Sequence, residues 1–194
     1  MAEPLLARLP QSDAALERAR LFGSALSVGV VDTILAMETA RPGAVRERWL
    51  EYRLEGDFSL GGDGRRVPLR GVADRIDLLE GNRLRIVDYK TGSAPERTRA
   101  LQVPVYALCA QERLASRDGH EWMVDEAVYV SFAGKKAIVE VAKDDDLTLL
   151  STARERVFEL IDQINAGVFP PRPHDPVMCG YCAYSSVCRK DYVE

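Results

Sequence analysis

Two aspartates and a lysine, Asp74, Asp88 and Lys90, are the side chains of this sequence best suited to metal-assisted hydrolysis. Carboxylate oxygens are the ligands that Mg²⁺ prefers in proteins. A lysine beside a hydrated metal can orient a water molecule and stabilise hydroxide as it forms. Such a group is suited to the hydrolysis of phosphodiesters, provided that the fold brings the three side chains together.

A predicted β-hairpin over residues 71–91 supplies that proximity. Two runs of alternating apolar and charged residues flank Gly81-Asn82, which is the pattern of a short antiparallel hairpin. A one-residue slip would send the apolar side chains to opposite faces, so the register that keeps them together is favoured. This register pairs Ile76 with Ile86, Leu78 with Leu84, and Asp77 with Arg85.

The same register places Asp74 opposite Asp88, on the face of the isoleucines, and Lys90 points the same way. Directly opposed side chains lie roughly 5 Å apart at Cβ, where two carboxylates repel each other. A hairpin built only for stability would avoid this arrangement, whereas a divalent cation between the carboxylates removes the repulsion. We therefore interpret the pair as a metal site; the alternative is a solvated hairpin whose charges keep it soluble.

Three motifs in a fixed order resemble those of a known family. They are GVADRID at residues 71–77, VDYKT at residues 87–91 and QVPVY at residues 102–106. In this order they are similar to the central motifs of RecB-type nucleases of the PD-(D/E)xK superfamily. The resemblance implies an α/β fold with a restriction-endonuclease-like core, in which helices flank a mixed β-sheet, followed here by a C-terminal cysteine-rich tail.

The resemblance also implies a role for each residue of the hairpin site. Asp74, Asp88 and the backbone carbonyl of Tyr89 would bind Mg²⁺ or Mn²⁺, and Lys90 would assist the attacking water. The expected activity is that of a DNA nuclease, and more narrowly an exonuclease, in a helicase–nuclease repair system. The expected partners are single-stranded DNA or DNA ends, together with a helicase subunit or a fused helicase domain. The alternative is a catalytically weak, nuclease-like DNA-binding or scaffold domain.

Gln102 and Tyr106 are the expected DNA-binding residues, because residues four apart share a helix face and relatives use this pair to contact the substrate strand. Simple packing is the alternative for both. The net charge of −4 argues against a generic nucleic-acid binder, although the metal-binding acids contribute to it. The candidates for phosphate contact are Arg65, Arg66, Arg70, Arg75, Arg97, Arg99, Lys135 and Lys136.

Two further metal-ligand positions follow from the resemblance. In relatives, an early helix carries a glycine followed four residues later by a metal-binding histidine. Gly23 fits the glycine, but the fourth residue after it is Ser27, which implies a weaker metal site. Glu55 resembles an acidic residue that relatives place on the strand before the hairpin, with Glu51 as a rival on the same strand face.

Three cysteines near the C-terminus, Cys179, Cys182 and Cys188, have a spacing that suits a soft metal centre. The spacing resembles the iron–sulfur, AddB-like branch of RecB-type nucleases, which implies a [4Fe–4S] cluster. The family supplies the fourth ligand from before the nuclease core, where this sequence has no cysteine. Either the chain is a fragment of a longer protein or Cys109 is recruited. The alternatives are zinc held by the three cysteines and His174, and free thiols.

Composition and pattern predict one soluble domain. The 194 residues are 46% apolar and 29% charged, and no apolar run approaches the length of about 20 residues that spans a membrane. Because the first residues do not read as a signal peptide, we expect a cytoplasmic protein. The predicted regions are 1–45 (helical), 46–168 (catalytic core) and 169–194 (cysteine-rich, metal-binding). The predicted elements begin with a helical stretch over 12–38, which Gly23 and Gly29 interrupt, so that it is either two helices or one bent helix. They continue with a strand over 49–60, the hairpin, a helix from about 97 or 101 to 115, strands over 126–132 and 136–142, and a helix ending near 166.

Overall fold

The structure is a computed structural model that describes residues 3–41, 43–61, 64–132, 138–143, 147–170, 173 and 176–188. The chain forms two compact units, Met1–Ala153 and Arg154–Glu194. Lys135, Lys136 and His174, which the sequence suggested as phosphate or zinc ligands, lie outside the described residues. None of the helices in the described part of the chain has the length and apolar character needed to cross a bilayer.

The helices and strands alternate in the predicted order. The helices are α1 (Glu3–Leu6), α2 (Gln11–Phe22), α3 (Val30–Ala40), α4 (Gln102–Asp118) and α5 (Thr148–Asn165). The strands are β1 (Val45–Phe58), β2 (Val67–Leu79), β3 (Arg83–Lys90), β4 (Met123–Ser131) and β5 (Ile138–Lys143). Short 3₁₀ turns cover Arg97–Arg99 and Pro176–Tyr181.

These strands form one mixed sheet in the order β1-β2-β3-β4-β5. β3 and β4 are parallel, and the other neighbouring pairs are antiparallel. A parallel pair needs a crossover connection, which α4 supplies between β3 and β4. The predicted α/β class, with a mixed sheet and flanking helices as in a restriction-endonuclease-like core, is confirmed.

The β2–β3 hairpin has the predicted register. Ile76 pairs with Ile86, Leu78 with Leu84, and Asp77 with Arg85. Both turn residues have a positive φ, 71° at Gly81 and 55° at Asn82. Such a turn matches the right-handed twist of its two strands, and glycine and asparagine adopt this backbone conformation more readily than other residues. The turn chemistry and the apolar pairs thus select the same register.

The two faces of the sheet carry different helices. Along β3, alternation sends Asp88 and Lys90 to one face and Val87 and Tyr89 to the other. α4 covers the first face, where the backbone N–H of Val103 donates a hydrogen bond of 3.1 Å to the Tyr129 hydroxyl. α3 covers the second face, where Met37 packs against Val87, Val128 and Val130. The site residues therefore lie between the sheet and the first turn of α4.

The helical region near the N-terminus is two helices, α2 and α3, joined by a tight turn over residues 23–29. Gly23 ends α2 with a φ of 80°, and Ser27 lies in the turn. A Cβ atom at Gly29 would come within 2.5 Å of the Gly23 nitrogen, so the backbones approach too closely for a side chain. Of the two predicted arrangements, two helices or one bent helix, the structure has two helices. Gly23 and Ser27 lie in the turn between them, where the two glycine backbones come into close contact.

Candidate active site

The backbone ladder between β2 and β3 ends at Arg75 and Val87, one step before the predicted Asp74–Asp88 pair. Beyond this point a side chain replaces the backbone as acceptor, because the N–H of Tyr89 donates to Asp74 Oδ2 over 2.8 Å. β3 stays paired with β4 through Lys90. Backbone pairing between β2 and β3 thus stops at the two aspartates, where a metal site was predicted.

Asp88 is a buried carboxylate with incomplete compensation. Its side chain is almost inaccessible, with the residue 1% exposed. Lys90 Nζ lies 2.7 Å from Asp88 Oδ2, but the geometry of this ion pair is not that of a hydrogen bond. No other described group makes a hydrogen bond to Oδ2. Burial raises the pKa of Asp88, the negative charge of Asp74 raises it further, and Lys90 opposes both. A bound cation would stabilise this carboxylate, so the residues present fit a metal site.

Lys90 is held between the strand and α4. Its Nζ donates to Gln102 Oε1 over 2.8 Å and lies 5.6 Å from the centre of the Tyr129 ring. Burial raises the pKa of Tyr129 to about 12, so its hydroxyl stays neutral at physiological pH. The structure therefore brings Gln102 to Lys90, as the site requires, and adds Tyr129. Sequence reasoning missed Tyr129, and its only signal there was its place in a predicted strand.

Tyr106 lies one helical turn after Gln102 and covers Gly71. A Cβ atom built on Gly71 would lie 2.7 Å from the Cε1 and hydroxyl oxygen of the Tyr106 ring. Any other residue at position 71 would therefore displace the ring, which explains a glycine at the start of the first motif. Because Tyr106 is only half-buried, its ring has both a packing contact and an accessible surface beside the site.

Comparison with known proteins identifies the family of the chain. The family model described as "PD-(D/E)XK nuclease superfamily" matches residues 4–189. The chain belongs to this superfamily. No curated protein sequence matches the chain. A solved structure described as "Crystal structure of SSO0001" is 16% identical, covering 96% of this chain and 81% of that one, with a TM-score of 0.34. The superfamily assignment rests on the sequence match.

A second glycine near the N-terminus has the same spacing to a hydroxyl residue as Gly23 has to Ser27. This glycine is Gly29, which directly precedes α3, and the fourth residue after it is Thr33, in the first turns of that helix. The Thr33 hydroxyl donates to the Gly29 carbonyl over 3.0 Å. Ser27 and Thr33 line one cavity of about 330 Å³, together with Ser131, which pairs with Lys90. The assignment of the histidine position to Ser27 stays a prediction.

Glu55 lies on the predicted strand but is bound to a different partner. Its carboxylate is 57% exposed and lies 3.8 Å from Arg70 Nε. Glu51, its rival on the same strand, is exposed and has a positive φ of 50°. Consistent with this, no three His, Cys, Asp or Glu side chains of the described chain assemble as a metal site.

Arg75 is not a phosphate contact. The residue is 3% exposed, and its guanidinium binds Glu38, Asp77 and Tyr89 on the face opposite Lys90. The prediction failed because the charged positions of this hairpin face inwards, towards α3. Arg70, by contrast, is exposed on β2 and remains a candidate for contact with a phosphate.

The four cysteines lie in different surroundings. Cys109 is buried in α4 at 1% exposure, and burial, followed by the nearby charge of Glu112, raises its pKa to about 12. A thiol that resists ionisation is a poor metal ligand. In the second compact unit, local turns link the cysteine segment: the N–H of Cys182 donates to the Cys179 carbonyl, and that of Cys188 to Tyr184.

Proposed function

We propose that this chain is a metal-dependent DNA nuclease that hydrolyses phosphodiester bonds at Asp74, Asp88 and Lys90. The observation that supports this most directly is the buried Asp88 carboxylate, 2.7 Å from Lys90 Nζ and close enough to Asp74 for that charge to raise its pKa. In a chain of a nuclease superfamily, a cation bound between the two carboxylates would complete this arrangement.

Asp74, Asp88 and the carbonyl of Tyr89 would hold Mg²⁺, or Mn²⁺ in its place. When bound, the metal supplies an activated water and neutralises charge on the phosphate. Asp74 accepts the N–H of Tyr89 at one oxygen, which fixes the plane of its carboxylate. Asp88 is held by burial and by Lys90. The chain thus fixes both carboxylates before the metal arrives.

The side-chain ammonium group of Lys90 lies beside the carboxylate of Asp88. Gln102 Oε1 accepts one of its hydrogens, which helps to hold Nζ beside Asp88. In this position the ammonium can orient a water molecule and stabilise negative charge on it as the water loses a proton. Gln102 and Tyr106 would then place the DNA strand along the first turns of α4, with Tyr106 offering a ring on which a base can stack.

We further propose an exonuclease of the RecB-type, iron–sulfur branch, acting on single-stranded DNA or DNA ends in the cytoplasm within a helicase–nuclease repair system. The ordered motifs on the hairpin and α4 support the branch. Cys179, Cys182 and Cys188 support a [4Fe–4S] cluster, with zinc as the alternative. In this proposal residues 1–194 act as one nuclease domain, with a helical region at 1–45, a core at 46–168 and a metal-binding tail at 169–194.

A catalytically weak DNA-binding domain is the second candidate. It is favoured by one observation: the position that supplies a nitrogen ligand in the resembled nucleases is a hydroxyl residue here, whether it is Ser27 or Thr33. Loss of one ligand weakens a metal site without removing the carboxylates. The two candidates therefore differ in turnover and share the same binding surface.

A cleavage assay separates the two. Single-stranded DNA labelled at either end is incubated with Mg²⁺ or Mn²⁺, and wild type is compared with Asp88→Asn and Lys90→Ala. Asp125→Asn is the matched control, since it removes a carboxylate from the adjacent strand β4, where Asp125 pairs with Arg83. The nuclease proposal requires cleavage by wild type and the control, and none by the site variants. DNA binding without cleavage in wild type would support the second candidate.

A further inference from the structure

The face of the sheet opposite the catalytic side chains carries a buried charge network centred on Arg75. All five N–H donors of a guanidinium find acceptors here. Nε donates to Asp77 Oδ1 over 2.9 Å, and Nη2 donates to Asp77 Oδ2 and to Glu38 Oε2. Nη1 donates to Glu38 Oε1 over 2.7 Å and to the Tyr89 hydroxyl over 3.0 Å. One side chain thus joins α3, β2 and β3.

Tyr89 connects this network to the catalytic face, because it lies between Asp88 and Lys90 in β3. Its N–H donates to Asp74 on one side of the chain, and its side chain points to the other side. There the ring lies nearly parallel to that of Phe132, with the centres 6.1 Å apart. Tyr89 therefore contacts Asp74 through its backbone and the charge network of Arg75 through its side chain.

The backbone at this point has little other support on the β2 side. The β2–β3 ladder ends at Val87, so residues 88–90 are held by β4 alone and by side-chain contacts. The hydrogen bond from Arg75 to the Tyr89 hydroxyl holds this segment on the face opposite Asp88 and Lys90. Because the guanidinium is itself fixed by Glu38 and Asp77, it forms a rigid anchor.

We propose that Arg75 is a positioning residue for the metal site, acting through the Tyr89 hydroxyl. The inference rests on the proposed metal-dependent function and adds residues on the far face of the sheet to it. Loss of the hydroxyl frees the backbone of Tyr89 to shift, and this loosens the contact with Asp74 and the carbonyl beside it. Outer partners that orient metal ligands commonly change metal affinity by about 10–100-fold. We expect an effect of about tenfold, at the lower end of that range.

Tyr89→Phe is the test variant, since it keeps the ring and its packing on Phe132 and removes the hydroxyl alone. Arg48→Gln is the matched control: Arg48 binds the same two acids, Asp77 and Glu38, without touching Tyr89. Binding of Mn²⁺ to the full chain is measured by electron paramagnetic resonance of the free ion, without DNA. Only the Mn²⁺ binding that is lost in Asp88→Asn is attributed to the proposed site.

The expected result is about tenfold weaker Mn²⁺ binding in Tyr89→Phe and wild-type binding in Arg48→Gln. Wild-type binding in Tyr89→Phe, an equal loss in both variants, or a wild-type protein that binds no Mn²⁺ would overturn the inference. DNA cleavage is measured on the same samples. If wild type binds Mn²⁺ and Tyr89→Phe weakens this, but no sample cleaves DNA, the inference stands and the nuclease proposal fails.

Discussion

The ring of Tyr106 occupies the space into which a side chain at Gly71 would extend, with only 2.7 Å between the Tyr106 hydroxyl oxygen and the position that a Cβ atom on Gly71 would take. Two motifs that are far apart in the sequence therefore form one contact. The glycine of the first motif is explained by packing against the tyrosine of the third, and the aspartate three residues later is the proposed metal ligand Asp74. Changes at Gly71 should accordingly act on both stability and activity.

We predict that Gly71→Ala lowers the free energy of unfolding by about 1–3 kcal/mol, because the added methyl group overpacks a closed contact. DNA cleavage should fall as Tyr106 moves. Gly43→Ala is the control, since its Cβ would meet only Arg85 at an ordinary 3.6 Å. In urea unfolding, the double variant Gly71→Ala/Tyr106→Leu should recover part of the lost stability. Equal stability of Gly71→Ala and wild type would contradict the contact.

A second prediction concerns Gln102, whose Oε1 holds Lys90 Nζ at 2.8 Å. Gln102→Ala should reduce the rate of DNA cleavage by about tenfold, because Lys90 loses the acceptor that helps to hold it beside Asp88. The melting temperature should change little, since the residue is half-buried at the start of α4. Gln111→Ala removes a comparable hydrogen bond from the same helix, to the Trp122 carbonyl, and should leave the cleavage rate intact. A similar loss of rate in both variants would mean that the effect is one of helix packing.

The hairpin and its register could be predicted because short-range signals agree there. Gly81-Asn82 marks the turn, and the apolar pairs allow one register, which places both aspartates without knowledge of the remaining fold. The contact between Lys90 and Gln102 was only implied by motif order. It depends on how α4 packs over β3, and a single sequence does not contain that packing directly.

The charge network could not be predicted because charged residues in a strand normally indicate a solvent-exposed face. Arg75, Asp77 and Arg85 alternate with apolar residues, which is typical of a half-exposed strand. In the structure α3 covers this face, and Glu38 supplies the counter-charge from a helix distant in sequence. The interruption of the first helical stretch was expected from Gly23 and Gly29, but the close contact between their backbones is a tertiary feature that the sequence does not contain.

A third prediction concerns the stability of the metal-free protein. Burial and the charge of Asp74 raise the pKa of Asp88, so the native protein holds this proton more tightly than the unfolded chain does. Stability is therefore lost as pH rises from the ordinary range near 4 through the raised pKa. At pH 7, without metal, Asp88→Asn should melt at a higher temperature than wild type, and the gain should shrink as pH falls. A lower melting temperature for Asp88→Asn would show that its ionised form is stabilising; Asp125→Asn serves as the control.

A fourth prediction concerns Asp77, which is fully buried. Burial alone would raise its pKa, but hydrogen bonds from Arg75 and Arg48 outweigh this and lower it. The contribution of Asp77 to stability is thus complete above about pH 4 and is lost as pH falls through the lowered pKa. Asp77→Asn should cost about 3–5 kcal/mol of unfolding free energy at pH 7, because it leaves buried arginines without their partner. Urea unfolding at pH 7 and in acid checks this, with exposed Asp57→Asn as the control. A cost that persists unchanged in acid would contradict the charge origin.

The last prediction concerns which of the four cysteines bind a metal. Cys179, Cys182 and Cys188 are the proposed cluster ligands, whereas the buried thiol of Cys109, with a pKa of about 12, is poorly disposed to lose its proton. We therefore expect protein purified without oxygen to contain iron, with visible absorbance, in wild type and in Cys109→Ala. Cys182→Ser should lose the metal, and its melting temperature should fall because metal binding contributes directly to folding. Zinc in place of iron would favour the alternative site. Loss of metal from Cys109→Ala would make Cys109 the fourth ligand, and wild-type metal content in Cys182→Ser would exclude both metal assignments for the tail.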